Sequence, residues 1–272
     1  MNFAKLFQLY EASPGFDKLS PRSKQAYVYC SKRLEDELGK EDVSNLRRST
    51  FLAMQARLRH RPALVNLMTR VASVTMSYGV DMDIIPANPV AGLKSLKIGS
   101  HVRWEPDEVR KVIALNDRKI STAVAIAWYT GQRESDILGL RWSDIDDGYL
   151  CITQQKTKRE LKIRLHKDLI DYLDGVRNGD PEDYFIVSGR ERMTDGAFRA
   201  AFRRKMDGIG IEKTFHGIRK GVASSLAENG SSINEIAAIL GHKSIRMAAY
   251  YAEQASGKKL VENAVSSITS CV

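Results

Sequence analysis

The sequence is poor in the residues that build crosslinked or metal-centred sites. Across 272 residues there are three cysteines, Cys30, Cys151 and Cys271, far apart and in no CxxC pattern. So odd and sparse a set excludes a disulfide framework and a cysteine zinc site. Each is expected to be a small buried hydrophobe. Long apolar runs are missing as well: none approaches the ~20 residues that span a bilayer. The stretch around Lys5 has no signal-peptide h-region or cleavage site, and no lipidation motif appears. The expectation is a cytoplasmic protein without a membrane partner. GxGxxG, GxxxxGK[ST] and HExxH are absent, so nucleotide-cradle and zincin chemistry drop out. Ser224 and Ser225 lack the GxSxG setting of a nucleophile elbow. Gly217 and Gly221 make a GxxxG spacing, which in a polar helix reads as a packing detail.

What is present is an excess of cations. Lys and Arg number 42 against 33 Asp and Glu, a net charge of +9. Such an excess favours a polyanionic partner, through phosphate neutralisation and counterion release. Residues 1–100 carry 15 basic and 9 acidic side chains, so the surplus is concentrated there. With 43% hydrophobic and 28% charged residues the chain is otherwise ordinary for a globular protein, long enough for two domains.

Residues 1–95 read as an all-α unit. Ser20-Pro21 is a cap followed by proline at a first helical position, Tyr27, Cys30, Leu34 and Leu38 recur at helical spacing, and Gly39 is placed to end that helix. Leu64, Leu67, Met68, Val71, Val74 and Tyr78 repeat the pattern, with Gly79 as its stop. Between them Arg47, Arg48, Arg57, Arg59 and Arg61 crowd a short helical stretch. A solvated face explains such a cluster by itself; beside the motifs below it becomes a grip on a DNA backbone. Residues 96–102 have a linker composition. A second, α-rich domain over 103–272 starts with Pro106 and the first-turn acids Asp107 and Glu108. Helices are expected around 119–130, 134–141, 167–177, 194–207, 217–229, 232–240 and 244–252. One β-hairpin interrupts them, with Tyr149 to Gln154 and Leu161 to Leu165 joined by a charged turn.

The residues able to do chemistry are scattered. Thr130-Gly131-Gln132-Arg133 precedes one helix, and Phe215-His216-Gly217-Ile218-Arg219 opens another. Leu240-Gly241-His242-Lys243-Ser244 follows, with Tyr251 nine positions after His242. Singly, each arginine is as readily a surface ion-pair partner and each histidine a satisfied structural one. In this order and spacing, TGQRESDILGLRWSDID and HGIRKGVASSLAENG followed by LGHKSIRMAAYYA resemble the two arginine boxes of tyrosine recombinases of the phage integrase family. The resemblance runs from about Trp104 to Ala252 and is much weaker ahead of it.

The resemblance implies a mainly α fold, with an all-α core-binding domain and an α-rich catalytic domain carrying a small β-sheet. It implies a C-shaped clamp on double-stranded DNA, and four copies acting on two recombination sites, with accessory DNA-bending proteins as further partners. No cofactor and no metal are expected, because a tyrosyl ester conserves the energy of the broken bond. Displacing a 5′-oxygen from a phosphodiester builds charge on the non-bridging oxygens, which Arg133 and Arg219 would clamp. Losing one such donor costs on the order of 10²–10³ in rate. A phenol with pKa about 10 lies about 4 kcal/mol from ionisation at neutral pH, so a base is useful. His216 is the expected base, His242 a phosphate hydrogen-bond donor, and Tyr251 the nucleophile in preference to its neighbour Tyr250. Lys156, in Gln155-Lys156-Thr157, is expected to protonate the leaving oxygen, with Lys158 the alternative. Rival readings are a catalytically silent DNA-binding protein and a type IB topoisomerase-like enzyme. Two departures stand out: Asp136 where the family more often has Glu, and Lys220 where it has His or Arg. The apolar positions Leu260, Val261, Ala264, Val265 and Ile268 suggest a C-terminal tail handed to a neighbouring copy.

Overall fold

The computed structural model describes residues 1–177, 183–188, 191–242, 244–253, 257 and 261. The chain divides into two compact units, Met1–Ser100 and His101–Val272.

The first unit is helical throughout: α1 (Phe3–Glu11), α2 (Pro14–Asp17), α3 (Pro21–Leu38), α4 (Arg48–Arg57) and α5 (Pro62–Asp81). The Ser20 side chain accepts the Ser23 amide and Pro21 occupies the first turn, so α3 starts where the sequence places it. It ends at Gly39, which holds φ +65°. Helices α1, α3 and α5 pack on one another around Phe3, Leu6, Phe7, Leu34, Met68 and Met76. Gly79 does not stop α5, which runs two residues past it. Its missing side chain serves packing instead: a Cβ there would press on Leu6 and Ile85.

The second unit begins with α6 (Pro106–Ala114), opened by Glu105, whose amide donates to the Glu108 carboxylate. Next come α7 (Arg118–Thr130), the one-turn α8 (Glu134–Ile137) and a 3₁₀ turn at Trp142–Asp144. Strands β1 (Ile145–Asp146), β2 (Tyr149–Thr153) and β3 (Glu160–Arg164) form an antiparallel sheet in that order. Helix α9 (Lys167–Val176), the short pair β4 (Val187–Ser188) and β5 (Glu191–Arg192), and α10 (Asp195–Asp207) lead to α11 (His216–Glu228), α12 (Ile233–Leu240) and α13 (Ile245–Ala252). The core gathers Trp104, Val112, Ile126, Ile137, Leu169, Phe198 and Ile218. The mainly α fold with a small sheet is as expected.

Two further expectations need correction. The helix expected over 134–141 is a single turn, because Leu140 and Trp142 are both buried. Continuing the helix would carry one of them away from the core, so the chain turns and Arg141 bridges to Tyr184. Cys151 is exposed, unlike the buried Cys30. Strand alternation turns Leu150 and Ile152 inward and leaves Cys151 no choice of face. Cys271 lies outside the described residues, as do Lys243 and all of the tail positions named above except Val261, which is exposed. Among the described residues, no helix is long and apolar enough to cross a membrane.

Candidate active site

Helix α7 ends in Gly131, left-handed at φ +65°, with its amide returning to the Ala127 carbonyl. Any side chain at Gly131 would also overlap Leu240. The turn delivers Arg133 to the cap of α8, where its Nη1 is buried without a hydrogen-bond partner. The nearest counter-charge is the Asp136 carboxylate, 3.7 Å away with its side chain sealed from solvent. The other Asp136 oxygen accepts the Gln155 amide at 2.9 Å. The shorter acid thus spans the first arginine and the base of the hairpin turn.

Arg219 lies on the first turn of α11 and is 3% exposed. Two of its N–H groups donate to carbonyls at 2.7 Å, those of Gly131 and Leu240. These bonds fix the guanidinium plane against the ends of α7 and α12. Helix α12 stops at Gly241, left-handed at φ +65°, and places His242 in the interior at 7% exposure. The His242 carbonyl accepts from Arg159 at 2.8 Å, which ties the hairpin to this segment.

His216 opens α11 and is exposed on one side. Desolvation of the packed side of the ring, then the neighbouring His101, Arg219, Arg133 and Lys156, push its pKa down to about 4. Desolvation first, then Arg219 and Arg133, push His242 to about 4 as well. Both imidazoles are therefore neutral at pH 7, one nitrogen able to accept a proton and the other to donate. These mutual influences place Arg133, Arg219, His216 and His242 in one neighbourhood, with the exposed Lys156 beside it. Lys158 is on the same turn in a left-handed conformation at φ 55°. Tyr250 and Tyr251 both lie on α13; Tyr250 is exposed, and the Tyr251 side chain lies outside the described residues.

The arginines expected to grip DNA belong to the first unit, and each is exposed. Arg48 donates to the carbonyls of Ala91 and Gly92, and Arg57 pairs with Glu37. Both are engaged within their own unit, and Arg47 reaches the Ser44 carbonyl at 3.5 Å. Arg59 and Arg61 stand exposed on the turn between α4 and α5.

Three residues that sequence reasoning passed over belong to the site. His101 packs edge-on against His216, ring centroids 4.9 Å apart, with its Nδ1 2.8 Å from the Thr214 hydroxyl. The buried ammonium of Lys220 donates to the His101 carbonyl at 2.8 Å. The small residues of GxxxG seat the segment 101–104, since a Cβ at Gly217 would overlap the Val102 carbonyl and one at Gly221 that of Trp104. Gln132 and Gln154 form a buried amide pair between the boxes. That glycine spacing, next to a connector histidine, was the available signal for His101; the glutamines gave none, being polar residues in stretches that read as loops. Among the described residues, no group of three or more His, Cys, Asp or Glu could hold a metal ion.

Residues 103–258 match the phage integrase family. The integrase of Enterobacteria phage 434 is 32% identical over 188 residues, covering 61% of this chain and 51% of its own length. The chain thus spans about half the length of that relative. A tyrosine recombinase of Pseudothermotoga lettingae is 23% identical over 252 residues, covering 86% of this chain and 88% of the relative. Among solved structures, a lambda integrase tetramer bound to a Holliday junction superimposes with a TM-score of 0.80 at 25% identity, covering 91% of this chain and 76% of that one. The match over residues 103–258 takes in both arginine boxes, the hairpin turn between them and Tyr251, and the chain is a member of the phage integrase family.

Proposed function

We infer that this chain is a site-specific DNA recombinase that cuts and rejoins duplex DNA through a 3′-phosphotyrosyl link to Tyr251. The carrying observation is the neighbourhood shared by Arg133, Arg219, His216, His242 and Lys156, drawn from four separate stretches of sequence. The buried Nη1 of Arg133, lacking a hydrogen-bond partner, suits a phosphate oxygen. Arg219, its plane fixed by two carbonyls, supplies the second guanidinium.

The Tyr251 oxygen attacks phosphorus and the bond from phosphorus to the 5′-oxygen breaks. His216, neutral at pH 7, takes the phenol proton, and Lys156 gives a proton to the leaving oxygen. His242 donates to a non-bridging oxygen. Religation runs the same transfers backwards, so the ester bond provides the energy. The first unit, with its surplus of cations, serves as the core-binding domain on the DNA backbone. Four copies act on two recombination sites, as the tetrameric state of the lambda relative on its junction suggests.

The test begins with duplexes selected from a randomised pool by covalent capture on the protein, which yields a preferred site. On a nicked suicide version, the wild type should attach to a 3′-phosphate. Tyr251→Phe should bind but form no adduct, and Tyr250→Phe should still react. An adduct lost in Tyr250→Phe and kept in Tyr251→Phe would reverse the assignment.

A further inference from the structure

We propose that Gln132 and Gln154 are positioning residues that set the Lys156 turn against the two arginines. The inference rests on the reading of Lys156 as the general acid.

Gln154 ends β2's side of the hairpin and is fully buried, and Gln132, just before Arg133, is 1% exposed. The Gln154 amide nitrogen donates to Gln132 Oε1 at 2.7 Å and to the Leu240 carbonyl at 3.0 Å. Its oxygen accepts the Thr157 hydroxyl at 2.6 Å, from the residue beside Lys156. The Gln132 nitrogen donates to the carbonyls of Thr130 at 2.9 Å and Ile239 at 2.8 Å. Both N–H groups of each amide are used, and each oxygen has a donor. Reversing either amide would set its oxygen against acceptor oxygens, so the network admits one orientation.

The connections join the hairpin turn to both arginine boxes. The Leu240 carbonyl that holds Gln154 also holds Arg219. Gly241 has no side chain because a Cβ there would overlap the Gln154 amide. The backbone of Gln154 closes the turn at both ends, its amide donating to the Arg159 carbonyl and its carbonyl accepting from Lys158. Gln155 anchors the other flank on Asp136 and the Ser135 carbonyl. A lysine on an exposed hairpin tip would ordinarily sample a wide volume. Here the root of its turn is fastened between the two boxes, inside a dry interior where an unmet polar group is costly. Polar side chains in that position supply one geometry, which leucine of similar size cannot.

General acid catalysis contributes about 10²–10⁴-fold, and misplacement by about 1 Å can forfeit about 10²-fold. Gln154→Leu should therefore bind the selected site as the wild type does and cleave it about 10²-fold more slowly. A bridging 5′-phosphorothiolate needs no proton on its leaving sulfur, so that substrate should restore the rate to within a few-fold. The double variant with Lys156→Ala should be no slower than Lys156→Ala alone, since both remove one contribution. A Gln154→Leu protein slow on both substrates, or as fast as wild type on both, overturns the proposal. If that variant does not fold, Thr157→Val decides by the same oxygen-to-sulfur comparison, exchanging only a hydroxyl for a methyl group at the half-buried Thr157. Lys156→Ala is the separate control: failure of sulfur to rescue it would dismiss Lys156 as the acid, whatever Gln154 does.

Discussion

At the scale of the residue, the site's work divides between groups that stay charged and groups kept neutral. Arg133 and Arg219 keep their charge at any relevant pH. His216 and His242, pushed to about 4, carry none at pH 7. In the unfolded chain both would take up protons below about pH 6.5, whereas the folded chain resists until pH nears 4. Their linkage to stability is therefore favourable above pH 6.5 and drains away as pH falls toward 4. Catalysis should show the same displacement. The second-order rate of adduct formation, which reports the free enzyme, should hold level from pH 8 to about 5 and fall only near 4. His101 is one of the groups that depress His216, so His101→Ala should move this fall upward, toward 6.5. Circular dichroism at each pH separates titration from unfolding. A wild-type fall centred near 6.5 would mean that the packed side of the ring does not desolvate it.

At the scale of the element, α11 does more than carry His216 and Arg219. One face of it receives the segment 101–104, where the Trp104 amide donates to the Gly217 carbonyl at 3.3 Å and its indole to the Thr214 carbonyl at 2.9 Å. Lys213 and Lys220 donate to the Arg103 and His101 carbonyls, and Arg103 pairs with Glu228. Gly217→Ala should lift this segment, because no rotamer relieves an overlap with backbone. Hydrogen exchange should then lose protection at the Trp104 amide while the amides of α7 keep theirs. Unchanged protection at Trp104 would show that the segment accommodates the methyl group. The boxes were legible in the sequence because their chemistry needs particular side chains at set intervals. The hairpin was legible through alternation, and α3 through its cap, its proline and Gly39. What escaped depends on contacts between distant segments. Gly79 had the composition of a stop, yet Leu6, more than 70 residues earlier, made it a packing position. Gln132 and Gln154 are polar residues whose partners come from other boxes, and no local period marks such a pair.

At the scale of the whole molecule, each unit has a core of its own. The apolar residues buried in the first run from Phe3 to Val90, and those of the second from Trp104 onward. A helical unit of this size can bury enough surface to fold alone. The fragment 1–100 should accordingly unfold as one cooperative step by circular dichroism. Its exposed arginines should bind duplex DNA weakly, with affinity that falls steeply from 50 to 200 mM salt. Joining two weak modules turns the second contact into an intramolecular one at an effective concentration of about 10⁻³ M. If each fragment holds DNA with a Kd of about 10⁻⁵ M, the intact chain should reach about 10⁻⁷ M. Fluorescence anisotropy on the selected duplex, comparing 1–100, 101–272 and the full chain at matched salt, measures all three. A full chain no tighter than 101–272 would deny the first unit a share in DNA binding, and a disordered 1–100 would show that its core needs the second unit to form.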